Sequence, residues 1–226
     1  MIDRGRFWSL LAPADRDALE RIGQRRRYGS GEVLLHQAEP SNHILILLSG
    51  SVKVTCSDAE GREVVLALRG PGDILGEMEV MIEEAPRSAA IRTLRNEVDA
   101  LVVPARRFVE FLDRHPAAWR SLYTVLALRL REANRNAREF GRTGVRQALA
   151  RLLSDLARQH GEPVENGIAI SVLSQDEIAA CIWSSRDAVA HELQLLRRKG
   201  ILSTGRRVVT VIDLPALDHI ARRGDD

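Results

Sequence analysis

Three observations predict an α+β chain built in three sections. From Tyr28 to Pro104, short β-rich runs are separated by glycine, which argues for an antiparallel sandwich or barrel. From Ala117 to Phe140, apolar residues recur at alternating spacings of four and three, the pattern of a long helix paired along a narrow stripe. Beyond Gly144, two short helical stretches joined by a tight turn precede a hairpin-like segment. The domains expected are 1–116, 117–142 and 143–226.

Composition sets outer bounds. A chain of 226 residues, 45% hydrophobic and 28% charged, can bury real cores and has the balance of a soluble globular protein. No apolar run is long enough to span a bilayer, and MIDRGRFWSLL lacks the form of a signal peptide, so a cytoplasmic protein with no membrane partner is expected. Cys56 and Cys181 are too few for a thiolate cluster, and in a reducing compartment no disulfide is expected. A net charge of +2 says little about nucleic acid. The local run Arg197, Arg198, Lys199, Arg206 and Arg207 suits phosphate contacts, although charge runs are more often solvated faces.

Taken in order, residues 9–22 read as a helix with Ser9 and Asp15 as caps. The run Arg25–Arg27 ends it and reads as a solvated turn. Strands follow at Glu32–His36, His43–Leu48, Ser51–Thr55, Glu63–Leu68, Ala89–Arg92 and Val98–Val103, with Val52 and Val54 alternating against Lys53 and Thr55 as on a half-exposed strand. His36 and His43, at strand ends, read as surface residues rather than metal ligands.

Within the β-rich section, GPGDILGEMEVMIEEAPRSAAIRT carries the most chemistry. Gly76 precedes Met78–Glu84, which is long enough for about two helical turns. Glycine there lets backbone N–H groups approach an anion, and a helix N-terminus adds partial positive charge. Arg87 offers a planar fork of donors for a phosphate and Ser88 adds a hydroxyl. The carboxylate of Glu77 can accept from a sugar hydroxyl. These groups describe a ribose-phosphate site. The plainer alternative is a solvated turn in which Glu77 and Arg87 pair with each other.

The spacing of Gly76-Glu77 from Arg87-Ser88-Ala89 resembles the phosphate-binding cassette of the cyclic-AMP receptor protein and FNR (CRP/FNR) family of bacterial transcription regulators. That resemblance implies a β-roll, with Glu77 on the ribose 2′-hydroxyl and Arg87 and Ser88 on a cyclic phosphate. It makes cyclic AMP or cyclic GMP the expected effector, with no other cofactor and no metal.

After Pro104, ARRFVEFLDRHP reads as a short helix stopped by Pro116. In the long helix, Trp119, Tyr123, Leu126, Leu130, Ala133, Ala137 and Phe140 form the apolar stripe. A two-in-seven stripe is narrower than a globular face needs, which favours a homodimer seam over packing within one subunit. The family has its dimerising helix here. By resemblance Ala133 and Asn134 stand where relatives read the adenine. Asn134 keeps a donor and an acceptor and Ala133 keeps neither, so the base-reading half of the pocket is incomplete.

Gly141 and Gly144 flank a hinge, Val145–His160 reads as a helix, and Gly161, Pro163, Asn166 and Gly167 mark a loop. In SQDEIAACIWSSRDAVAHELQLLR, Ser174 with Glu177 forms a capping box and Ser185 caps a second helix. Two helices so joined could be a simple αα-hairpin. The segment also resembles the family's helix-turn-helix, which implies base contacts by Arg186, Asp187 and His191. Arg can pair with guanine, an acid can accept from cytosine, and Ser185 can donate to a phosphate. Trp183 replaces the turn glycine and His191 the more usual arginine. Residues 200–212 read as a hairpin-like segment with Gly205 in its turn and resemble the family's wing, which makes Arg206 a further DNA-contact candidate, and Leu214–Arg223 reads as a short closing helix.

The reading is therefore a homodimeric, allosteric regulator. A β-roll binds an effector, a helix dimerises, and a winged helix-turn-helix binds an inverted-repeat operator in double-stranded DNA. RNA polymerase is a further candidate partner. The alternatives are a different effector or none, and, from other classes, a nucleotide-hydrolysing enzyme or a haem-based sensor. No Walker loop, nucleophile elbow or metal-ligand spacing supports catalysis.

Overall fold

A computed structural model describes residues 6–57, 63–82, 85–94, 96–139, 144–171, 173–182, 184–205 and 208–223; for 135–139, 159 and 223 it describes the backbone alone. The chain divides into two compact units, residues 1–135 and 136–226. The expected boundary at 142 lies outside the described residues.

In the first unit, the elements in chain order are α1 (Phe7–Leu10), α2 (Pro13–Ile22), β1 (Gln24–Tyr28), β2 (Val33–Leu35), β3 (His43–Leu47), β4 (Val52–Ser57), β5 (Glu63–Arg69) and β6 (Ile74–Leu75), then α3 (Glu77–Val80), β7 (Ala90–Thr93), β8 (Val98–Pro104), α4 (Ala105–Arg114) and the start of α5 (Pro116–Glu139). Two four-stranded antiparallel sheets form the β-roll, in the orders β1-β8-β3-β6 and β2-β7-β4-β5.

The sequence HILIL of β3 explains how the layers stack. Leu45 and Leu47 point into a core between the sheets with Tyr28, Leu35, Val52, Leu75 and Ile91. Ile44 and Ile46 point the other way, into a core closed by Phe7, Leu19, Phe108, Leu112, Leu122 and Val125 from the helices. A strand covered on both faces needs an unbroken apolar run. Each such side chain, fully buried, stabilises the fold by about 1.5–3 kcal/mol.

Four sequence expectations are corrected here. The helix over 9–22 is two helices, because Leu11 and Ala12 are extended and Pro13 starts α2; neither Ser9 nor Asp15 caps it. Asp15 instead meets His115 Nδ1 at 2.7 Å. Arg25–Arg27 is no turn but part of β1, paired from Gln24↔Val102 to Tyr28↔Val98. Along β4 the expected alternation holds only at Val52, which is buried. Lys53 and Thr55 are buried and Val54 is half-buried, with a register shift between Val54 and Thr55. Lys53 reaches Glu63 at 2.7 Å, which keeps its charge paired.

The second unit contains α6 (Val145–His160), β9 (Glu162–Val164), β10 (Gly167–Ile170), α7 (Gln175–Cys181), α8 (Arg186–Arg198), β11 (Leu202–Gly205), β12 (Val208–Val211) and α9 (Leu214–Arg223). The stretch read as a loop at 161–167 is a hairpin, with Val164 opposite Gly167. It extends the wing into a four-stranded antiparallel sheet in the order β11-β12-β10-β9.

Candidate functional site

The cassette starts from Gly76, which has φ 74° and ψ 13°. This left-handed turn suits glycine, and a Cβ there would come within 2.3 Å of Arg87 Nη1. Glycine is thus required by the arginine that packs against it. The following helix, α3, is a single turn from Glu77 to Val80, shorter than the two turns expected, so a helix dipole contributes little to the site.

Arg87 is 3% exposed. Its Nη2 donates to the His43 carbonyl at 2.6 Å, and its backbone N–H donates to the Glu39 carbonyl at 2.9 Å. Its Nη1 is buried and has no hydrogen-bond partner among the described residues. Burial pulls the guanidinium below its ordinary pKa, opposed by the charges of Glu79, Glu39 and Glu77. A buried cation with a free donor is a strong demand for an anion.

Glu77 does not pair with Arg87, as the plainer alternative held. Its carboxylate, 2% exposed, accepts from Arg129 Nη1 of α5 at 2.6 Å. Arg129 Nη2 also donates to the Ile74 carbonyl at 2.8 Å and lies 3.4 Å from Asp73. Burial raises the Glu77 pKa, and Arg129 pulls it back down. Arg69, at the end of β5, belongs to the same charge cluster: burial and neighbouring Arg129 lower its pKa, while Asp73, Glu132 and Glu77 oppose this. Sequence reading missed Arg129 as a pocket residue. Its signal was an arginine on the inner flank of the apolar stripe, one helical turn beyond the buried Val125.

Ser88 lies in the cassette as expected, but its donors are engaged. Both its N–H, at 3.1 Å, and its hydroxyl donate to Glu79 Oε1. Asn134 is exposed on α5, as is Ala133. The structure thus gathers Gly76, Glu77, Arg87 and Ser88 and leaves Asn134 facing solvent.

On α5, Ala118, Leu122 and Val125 are buried in the unit's own core, and Leu126 packs partly against it. Trp119, Tyr123 and Leu130 remain 40%, 73% and 62% exposed. The helix therefore has one face bound to its own domain and another left open. Ala137 belongs to the expected stripe, but its side chain lies outside the described residues.

In the second unit the capping box is present in both directions. Glu177 N–H donates to Ser174 Oγ at 3.3 Å, and Ser174 N–H donates to Glu177 Oε2 at 2.8 Å. Ser185 caps α8 by accepting from the Ala188 N–H at 3.2 Å. Ile178, Ala179, Val189, Leu193 and Leu196 are buried where the two helices pack. The opposite face of α8 leaves Arg186, Asp187, His191 and Gln194 exposed. Gln194, three residues after His191 on that face, was not singled out from sequence. Arg186 lies only 3.7 Å from Asp176, an exposed pair that holds it weakly. Trp183 and Arg206 lie outside the described residues.

Among the described residues no group of three metal-binding side chains occurs, and no helix is long and apolar enough to cross a membrane.

Comparison with known proteins extends over nearly the whole chain. Residues 25–115 match the cyclic nucleotide-binding domain, and residues 147–220 match the Crp-like helix-turn-helix domain. The chain is 29% identical to the cyclic AMP receptor protein of Thermus thermophilus, covering 93% of this chain and 94% of that one. It is 28% identical to a CRP-like cAMP-activated global transcriptional regulator of Mycobacterium tuberculosis, covering 98% and 99%. The fold superposes on the c-di-GMP responsive global regulator CLP of Xanthomonas campestris with a TM-score of 0.77, at 25% identity, over 88% of this chain and 99% of that one. Two domain matches in the family's order, backed by relatives aligned from end to end, make this chain a member of the CRP/FNR family of transcription regulators, which bind DNA and respond to effectors rather than catalyse reactions.

Proposed function

We propose that this regulator takes a cyclic nucleotide, cyclic AMP or cyclic GMP, in the pocket of its N-terminal unit, and binds an inverted-repeat operator as a homodimer. The observation that carries the effector reading is the buried Arg87, whose Nη1 has no partner among the described residues and faces the Gly76 turn. A cyclic phosphate supplies the missing anion. Glu77 supplies an acceptor for the ribose, held in place by Arg129. The open stripe of Trp119, Tyr123 and Leu130 supports the dimer. Leu126, Ala133 and Ala137 continue that seam, and the two Asn134 side chains lie along it.

Arg186, Asp187 and His191 read base edges from the exposed face of α8, Ser185 contacts phosphate at its start, and Arg206 contacts the backbone from the wing. The two-fold axis of the dimer then dictates an inverted repeat. Effector and DNA are linked through α5: a ligand that prefers one arrangement of the dimer shifts the population that fits the operator. A regulator of this kind works where the chromosome is, in the cytoplasm. RNA polymerase is kept as a further partner on family grounds.

The test is titration calorimetry of the full chain with cyclic AMP, cyclic GMP and, because the Xanthomonas relative responds to it, cyclic di-GMP. Binding of a cyclic mononucleotide is expected, with loss of about 1.5–3 kcal/mol or more in Arg87→Met. No heat with cyclic AMP or cyclic GMP at millimolar ligand overturns either as the natural effector.

A further inference from the structure

The contact between Glu79 and Ser88 assigns a role to a side chain that the effector reading does not use. In that reading the Ser88 donors bind the cyclic phosphate. In the structure both of them, N–H and hydroxyl, converge on one oxygen of Glu79. Two donors aimed at a single anionic oxygen is the geometry of phosphate binding, with the protein's own carboxylate standing where a phosphoryl oxygen would stand.

The electrostatics agree. Among the charges that act on the Arg87 guanidinium to favour its cationic form, that of Glu79 is the largest. With Glu79 in place, the buried cation already lies within the field of a carboxylate, although its Nη1 has no hydrogen bond to it or to any other described group. A phosphate arriving at Nη1 must therefore either share the site with a like charge or displace it. Displacement is sterically open. Glu79 is only half-buried, and with Ser41, Asn42, Val80, Ile82 and Pro86 it lines a recess of about 370 Å³ into which the carboxylate can turn.

We infer that Glu79 is a specificity-determining residue, an internal competitor that occupies the phosphate donors of Ser88 and sets a high threshold for anionic ligands. This inference rests on the cyclic-nucleotide reading of the pocket. It goes beyond that reading by fixing which side chain limits affinity. A ligand that binds tightly to the native protein has to bring enough further contacts to offset the displaced Glu79–Ser88 bonds. A simple cyclic mononucleotide binds weakly.

The experiment is calorimetry of the full chain with cyclic AMP and cyclic GMP as probes, on the native protein, Glu79→Ala, Glu79→Gln and the double variant Glu79→Ala with Ser88→Ala. Glu79→Ala is expected to bind at least tenfold tighter than the native chain. Glu79→Gln keeps an acceptor for Ser88 but loses the charge, so it falls between the two. The double variant gives back much of the gain, because the freed donors are gone. Hydrogen–deuterium exchange across Ser88–Ile91 shows whether each variant keeps the cassette folded, and Glu79→Gln provides an isosteric variant if Glu79→Ala does not. Equal affinity in the native chain, Glu79→Ala and Glu79→Gln overturns the inference and leaves the cyclic-nucleotide reading standing. Weaker binding by both Glu79 variants also overturns it, since Glu79 would then be helping the ligand. No heat with either nucleotide in any variant overturns both.

Discussion

Replacing Arg129 by methionine removes the cation that hydrogen-bonds the Glu77 carboxylate. The substitution keeps much of the aliphatic stem but leaves a carboxyl that is 2% exposed without its 2.6 Å partner, and it removes the 2.8 Å bond to the Ile74 carbonyl. Breaking one side of a buried ion pair costs about 3–5 kcal/mol. The Arg129 side chain retains 19% exposure, so solvent screens part of this, and a loss of about 2–4 kcal/mol is expected near neutral pH. The loss must depend on pH with a definite sign. Burial already raises the Glu77 pKa in the folded chain, and Arg129 is the main group holding it down. Without Arg129 it rises further, so the folded state keeps a proton that the unfolded chain has released. Stability is then retained at or below the ordinary carboxylate range and falls as pH rises above it toward the raised value.

Urea titrations of the full chain at pH 5 and pH 8, read by hydrogen exchange at the Ile44–Leu47 amides, report this unit separately from the other. Two units need not unfold in one step, which makes the local readout necessary. A loss of this size shifts the midpoint by roughly 1–2 M urea. The shift should be larger at pH 8. Adding Glu77→Gln to Arg129→Met should recover stability at pH 8, because it removes the stranded charge. An equal shift at both pH values, with no recovery in the double variant, would refute the argument and place the cost in the Ile74 bond alone.

Leu130→Glu should dissociate the proposed dimer in sedimentation at micromolar concentration without unfolding the N-terminal unit, because Leu130 is 62% exposed in the single chain. Leu126 is a poorer site for that test, since it also packs on its own core. An unchanged sedimentation coefficient for Leu130→Glu would show that the stripe does not carry the dimer. In operator binding, Arg186→Ala should lose about 1–3 kcal/mol of discrimination at one base pair per half-site, measured by competition between single-base variants. Equal weakening on every sequence would make Arg186 a phosphate contact. Operator binding by the native protein should fall by orders of magnitude between about 50 and 200 mM salt, and a flat response would mean few phosphates are engaged.

Much of this molecule is legible in its sequence because the signals are local. The capping box at Ser174 and Glu177 and the cap at Ser185 are short-range hydrogen bonds, fixed by residue type and spacing. Apart from β6 (Ile74–Leu75), which was not expected, the strands over 33–103 fall within a residue or two of where their apolar runs and flanking glycines put them. The cassette spacing was equally legible, and Gly76, Glu77, Arg87 and Ser88 do come together in one place.

What only the tertiary structure decided is who pairs with whom inside that place. Glu77 and Arg87 have the right charges to bond each other, yet each is claimed from elsewhere, Glu77 by Arg129 and Arg87 by the His43 carbonyl. Those partners lie 52 and 44 residues away, brought in by α5 and by the start of β3. Likewise, Arg25–Arg27 reads as a solvated turn until β8 supplies the hydrogen-bonding edge that makes it a strand. Lys53 reads as an outward residue until Glu63 on the neighbouring strand pairs its charge. A buried charge takes whichever partner the fold brings within reach, and backbone pairing needs a second strand; neither is written in the spacing of the residues themselves.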